Sequence, residues 1–280
     1  MDHLISTEQL DHDRADPALI LLDASFYLPA ETQNARALFA EAHIPGATFF
    51  DIETIADRAS SLPHMVPRAA DFAEAAEGFG ISNASRVVVY DQRGLFSAAR
   101  AWWMFRLFGH DAVRVLNGGL PKWRAEGRAL ATGEATARPR GRFTPRLRPD
   151  LLRDRAAIAA NLAAQAETLL DARAAGRFSG AVPEPRPGMR GGHVPGARSL
   201  PFTDLLGADF TLKPQAALRA AFEQRGIGPE SRPVTMCGSG VTAAVLTLGL
   251  VCAGLPMGAL YDGSWAEWGG AADTPIETTA

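Results

Sequence analysis

The 280-residue chain repeats itself once, and this duplication constrains its fold more than any other feature. Leu21-Leu22-Asp23-Ala24-Ser25 returns as Leu169-Leu170-Asp171-Ala172-Arg173. His43-Ile44-Pro45-Gly46-Ala47 returns as His193-Val194-Pro195-Gly196-Ala197. Val87–Asp91 aligns with Pro233–Cys237, and Asn117–Trp123 (NGGLPKW) aligns with Asp262–Trp268 (DGSWAEW). Four matches in one order predict two copies of a domain, residues 1–130 and 154–280. The Ala-, Arg- and Pro-rich span 131–153 reads as the linker between them.

Within each copy, short apolar runs (LILLD, VVVYD, AVRVL) alternate with helical stretches such as AARAWWMFRL. That alternation predicts an α/β domain around a mainly parallel sheet. Chemistry in such sheets collects where a strand's carboxyl end feeds a helix. Cys237 takes that position, with a strand over Pro233–Met236, a glycine-containing turn over Cys237–Val241 and a helix from Thr242. The apolar run Thr242–Leu260 approaches the length of a membrane span, but Pro256 and three glycines interrupt it. It reads as a buried helix followed by a short strand.

Composition removes several classes of function. The net charge of −3 carries no footprint for nucleic acid. The two cysteines, Cys237 and Cys252, cannot build a disulfide framework, and neither has a C-x-x-C partner for zinc or dithiol redox work. Residues 1–18 hold no apolar stretch of signal-peptide length, so a cytoplasmic location is the expectation.

The duplication also serves as an internal control, because a feature present in both copies is architectural. His43 and His193, Asp23 and Asp171, and Trp123 and Trp268 are such pairs. Cys237 is not: its counterpart is Asp91. Two glycines in Gly238-Ser239-Gly240-Val241-Thr242 let backbone N–H groups converge at a helix N-terminus, an arrangement that binds anions and favours a thiolate. Cys252, inside an apolar helix, reads as a buried, inert thiol. Arg173, Arg177, Arg186 and Arg190 crowd the second copy between Asp171 and His193, where the first copy has only Arg36. Such guanidinium groups suit an anionic substrate.

These residues resemble those of the tandem-rhodanese sulfurtransferases, most closely the branch that uses mercaptopyruvate. The resemblance runs from about Leu21 to Gly269 and rests on LLDASFYLP, HIPGATFFD, GRFSG…PEPR, CGSGVTA and YDGSWAEW. It implies two rhodanese-like domains, each a mainly parallel sheet flanked by helices, with the thiol only in the second. It implies that Cys237 is the nucleophile, with Gly238, Ser239, Gly240, Val241 and Thr242 as its cradle. By the same resemblance Arg177 and Arg186 hold the substrate carboxylate and keto group, and a relay maps onto Glu53, His64 and Ser239. Glu53 departs from the aspartate more usual in the family but keeps a carboxylate. Thiosulfate-preferring relatives carry basic residues after the cysteine, whereas Gly238 and Ser239 are neutral.

The implied cycle balances without a metal or organic cofactor. The Cys237 thiolate attacks the sulfur of 3-mercaptopyruvate and the C–S bond breaks. The enolate left behind takes up a proton to become pyruvate, and a persulfide remains on Cys237. A thiol acceptor, such as thioredoxin or a small thiol, or cyanide then removes the outer sulfur. No nucleic acid or membrane partner is expected. The alternatives are a thiosulfate sulfurtransferase of the same fold and a non-enzymatic sulfur-carrier module. A cysteine phosphatase is disfavoured, because the arginine it needs six residues after the cysteine is Ala243.

Overall fold

The structure is a computed structural model that describes residues 3–28, 31–135 and 137–279; Pro29, the end of the LLDASFYLP match, lies outside them. It divides into two units. Unit 1 comprises Met1–Arg58, Val66–Arg148 and Gly207–Thr211, and unit 2 comprises Ala59–Met65, Pro149–Leu206 and Leu212–Ala280.

Unit 1 contains β1 (Leu4–Ile5), α1 (Thr7–Asp13), β2 (Leu19–Asp23), α2 (Ala35–Glu41), β3 (Ala47–Phe49), α3 (Ala69–Gly78), β4 (Arg86–Tyr90), α4 (Ala98–Leu107), β5 (Val113–Leu116) and α5 (Gly119–Ala125). Unit 2 contains β6 (Leu152–Arg153), α6 (Arg155–Ala164), β7 (Thr168–Asp171), α7 (Ala175–Ser179), β8 (Arg198–Ser199), α8 (Gln215–Glu223), β9 (Pro233–Met236), α9 (Ala243–Cys252), β10 (Ala259–Tyr261) and α10 (Ser264–Trp268). The strand orders are β1-β5-β4-β2-β3 and β6-β10-β9-β7-β8, the same permutation twice. Every pairing within the two sheets is parallel. The central strands are buried on both faces, which is why LILLD and VVVY read as continuous apolar runs rather than alternating ones. Helix α9 is buried along nearly its whole length, and no helix among the described residues is long and apolar enough to cross a membrane.

The paired residues perform paired tasks. His43 Nδ1 lies 2.8 Å from the Phe39 carbonyl and its ring stacks on Phe39; His193 Nδ1 lies 2.9 Å from the Phe178 carbonyl and stacks on Phe178. Asp23 and Asp171 each accept the N–H two residues on, closing a turn at the end of a strand. Trp123 and Trp268 are buried, each donating its indole N–H to a following carbonyl, Ala129 and Pro275.

The span read as a linker divides differently. Through Arg148 it goes with unit 1, and only from Pro149 with unit 2. Ala131 bridges to His43, Gly141 donates to Glu77, and Arg146 and Arg148 donate to Phe108 and Leu107. Phe143 is buried and packs edge-on against Phe72. Its polar composition hides this anchoring, because backbone groups make most of it.

Unit membership holds a second regularity. The residues lent to unit 2, Ala59–Met65, and those lent to unit 1, Gly207–Thr211, are the same portion of the repeat. Each carries a non-glycine residue in the left-handed region: His64 at φ 60° and Phe210 at φ 62°. Phe210 lies against Gly94 in unit 1, and His64 reaches Ser239 in unit 2.

Candidate active site

Unit 1 shows what the loop after β4 is built to do. Asp91 follows that strand, and the loop turns back so that its amides surround the carboxylate. Phe96, Ser97 and Ala98 donate to Oδ2 at 2.8, 2.9 and 2.8 Å, and Arg93 donates to Oδ1 at 2.9 Å. Those amides include the N–H groups at the start of α4, which lack partners within the helix and favour negative charge. The nest is therefore an anion site already filled by a side chain of its own chain.

In unit 2 the equivalent strand–loop–helix carries Cys237 in place of Asp91, with a loop over 237–242 that is one residue shorter than 91–97. Cys237 and Ser239 are buried. The first turn of α10 clamps the peptide from outside: Trp265 and Ala266 donate to the carbonyls of Cys237 and Gly238 at 2.9 and 2.8 Å. Unit 1 has the corresponding bond, Leu120 N–H to the Asp91 carbonyl at 3.0 Å. Ser239 Oγ lies 3.1 Å from Nδ1 of the buried His64. Gly240 takes φ 76°, a conformation that glycine adopts without a steric penalty, and Val241 and Thr242 lead into α9.

The four arginines separate into different tasks. A Cβ at Gly238 would lie 3.0 Å from Arg177 Nη2, so this guanidinium stands directly beside the residue after the cysteine. Glu184 holds it there, accepting from Arg177 Nη2 at 2.5 Å and Nε at 3.2 Å. Arg173 is a buried structural cation, paired with Asp171 and Glu184 and donating to the Gly192 carbonyl. Arg190 donates to the backbone carbonyls of Trp268, Gly269, Ala271 and Thr274 and so ties down the segment after α10. Arg173 and Arg190 therefore do not join an anion-binding group, which corrects the reading of the run as one cluster. Arg186 is half-buried on the segment between α7 and β8.

Glu53 belongs to unit 1, where Asp51 accepts its N–H and where it lines a polar cavity of about 450 Å³ with Arg36 and Asn34. His64 and Ser239 belong to unit 2. Cys252 is half-buried at the end of α9 rather than fully buried as expected. Among the described residues no group of His, Cys, Asp or Glu could hold a metal ion.

The rhodanese-like domain model matches residues 6–126 and 154–271. The chain belongs to the rhodanese-like domain family. It is 44% identical over 263 residues to human 3-mercaptopyruvate sulfurtransferase, covering 93% of this chain and 88% of that protein. To 3-mercaptopyruvate sulfurtransferase of Escherichia coli K12 it is 41% identical over 263 residues, covering 94% and 93%. To bovine thiosulfate sulfurtransferase it is 40% identical over 272 residues, covering 95% and 91%. Among solved structures, the Escherichia coli 3-mercaptopyruvate sulfurtransferase SseA superposes with a TM-score of 0.85 at 37% identity, covering 95% of this chain and 99% of that one.

Proposed function

We propose that the chain is a sulfurtransferase that takes sulfur from 3-mercaptopyruvate onto Cys237, releases pyruvate, and passes the sulfur to a thiol or to cyanide. The observation that carries this reading is the Asp91 carboxylate, gripped by four N–H groups at the position that Cys237 takes in unit 2. A persulfide, Cβ–Sγ–Sδ⁻, has the same bond count as the aspartate Cβ–Cγ–Oδ⁻. The outer sulfur of a Cys237 persulfide thus corresponds to the oxygen that the unit 1 amides bind.

In this reading the Cys237 thiolate attacks the substrate sulfur and the C–S electron pair moves onto carbon as an enolate. Arg177 and Arg186 hold the carboxylate and keto oxygen, stabilising the charge as it develops. Ser239, facing His64, is the proton source for the enolate carbon. The proton gained by the methyl group of pyruvate balances the one lost from the substrate thiol. The free thiol that the cycle requires is kept reduced in the cytoplasm, which supports that location.

The relatives' names point to two donors, mercaptopyruvate and thiosulfate. Thiosulfate is a compact dianion that gains from unpaired cationic side chains on the loop itself, whereas Gly238 and Ser239 are neutral and the Arg177 guanidinium beside Gly238 is paired with Glu184. We expect kcat/KM for pyruvate release from mercaptopyruvate to exceed that for thiocyanate formation from thiosulfate and cyanide by about two decades, or ~2.7 kcal/mol. Faster turnover of thiosulfate at equal low concentration would replace this reading with the thiosulfate one. Absence of both activities would leave a carrier module.

A further inference from the structure

We propose that Ser264 is a positioning residue for the reactive cysteine, holding the Cys237 backbone by its N–H; the proposal rests on Cys237 being the nucleophile. Cys237 N–H donates to Ser264 Oγ at 3.1 Å, and Ser264 Oγ donates onward to the Tyr261 carbonyl at 2.8 Å. With its proton committed to Tyr261, the hydroxyl presents a lone pair to the cysteine amide. Ser264 is fully buried and adopts φ 50°, a left-handed backbone that is strained for a non-glycine residue.

The repeat shows that this strain is avoidable. The counterpart of Ser264 is Gly119, which takes φ 55° as the first residue of α5, just as Ser264 opens α10. Glycine adopts that conformation freely. A Cβ at Gly119 would meet the carbonyl oxygens of Gly94 and Asp91 at 2.5 and 2.6 Å, so unit 1 has no room for the serine. The clamp on the carbonyl side of the peptide is common to both units, whereas the amide clamp belongs to the thiol-bearing unit. Side-chain chemistry explains the difference. Asp91 fixes its own position through four bonds to its carboxylate. A thiol has one weakly hydrogen-bonding atom and cannot anchor itself this way. A cysteine in this loop therefore has to be fixed through its backbone, and Ser264 supplies the bond.

The test replaces Ser264 by Gly in the full chain, which suits the left-handed backbone and removes the hydroxymethyl side chain. We expect the S264G variant to keep its Tm within a few degrees. Its kcat for pyruvate release should fall about tenfold while KM for mercaptopyruvate stays within about twofold, the pattern of a misplaced reacting atom. Iodoacetamide should alkylate its Cys237 more slowly at fixed pH, a readout independent of which donor the enzyme uses. Ser264→Ala should repeat the loss in kcat and in alkylation and also lower Tm, because alanine retains the backbone strain. Unchanged kcat and alkylation in S264G would overturn the proposal. So would a fall in Tm with kcat and KM worsening together, since that marks a purely structural residue. No pyruvate release by the wild type, with Cys237 of S264G still alkylated more slowly than that of the wild type, would overturn the donor assignment and support the positioning role.

Discussion

Arg177 and Arg190 share one arginine-rich run but answer to different chemistry. Arg177 ends beside Gly238, steered by Glu184, while Arg190 is spent on backbone carbonyls. Arg177→Ala should therefore lower kcat/KM for mercaptopyruvate by ~2–5 kcal/mol, with a smaller effect on discharge of preformed persulfide to cyanide. Arg190→Ala should instead lower Tm, because several carbonyls lose a charged donor. Steady-state kinetics beside thermal scans separate the two; a matching Tm loss for Arg177→Ala would show that it serves the fold. Spacing alone could separate neither Arg173 nor Arg190 from Arg177, because it does not say where a long side chain ends; only the family resemblance singled out Arg177 and Arg186. Glu184 went unnoticed for the same reason. Asp23 supplies a pH dependence. Burial raises its carboxyl from 3.8 to about 6. Between those values the folded state holds a proton that the unfolded state releases, so this group's contribution to stability falls as pH rises from about 4 to 6. Asp23→Asn keeps an acceptor for Ser25 and removes the titration. Relative to wild type it should gain up to about 3 kcal/mol across that window and then stay level. Denaturant midpoints of both proteins from pH 4 to 7 would check this, and parallel curves would contradict it.

At the scale of elements, the strand–loop–helix around Cys237 was legible because three signals agree there: an apolar strand, two glycines and an apolar helix. The span 131–148 was not, since Ala, Arg and Pro look the same in a loose linker and in a strap held by its backbone. Its glycines distinguish the two. A Cβ at Gly141 would lie 2.1 Å from the Ile81 carbonyl oxygen, whereas at Gly133 it meets nothing within 4 Å. Gly141→Ala should cost ~3 kcal/mol, at the upper end of overpacking penalties. Gly133→Ala should cost only ~1 kcal/mol for its positive φ. Equal, small losses in thermal scans would mean that the segment is a linker after all. The lent segments were equally hidden, for no local pattern marks residues 59–65 or 207–211 as belonging with the other repeat. A left-handed backbone at His64 and Phe210 becomes visible only in three dimensions.

For the whole molecule, the duplication announced the architecture before any element was placed, and two sheets with one permuted strand order follow from it. It also ties Cys237 to Asp91 by position, and the first unit displays there a carboxylate held by four N–H groups. The exchange of Gly119 for Ser264 lay in the same alignment, but its meaning depended on a φ angle and a hydrogen bond that sequence does not express. If Cys237 carries the sulfur, intact mass with peptide mapping will show it. After incubation with mercaptopyruvate and no acceptor, one added sulfur atom is expected, located on the Cys237 peptide and removed by cyanide. Cys237→Ser should show no addition and Cys252→Ser full addition. Sulfur found on Cys252, or pyruvate released by Cys237→Ser at the wild-type rate, would contradict Cys237 as the carrier.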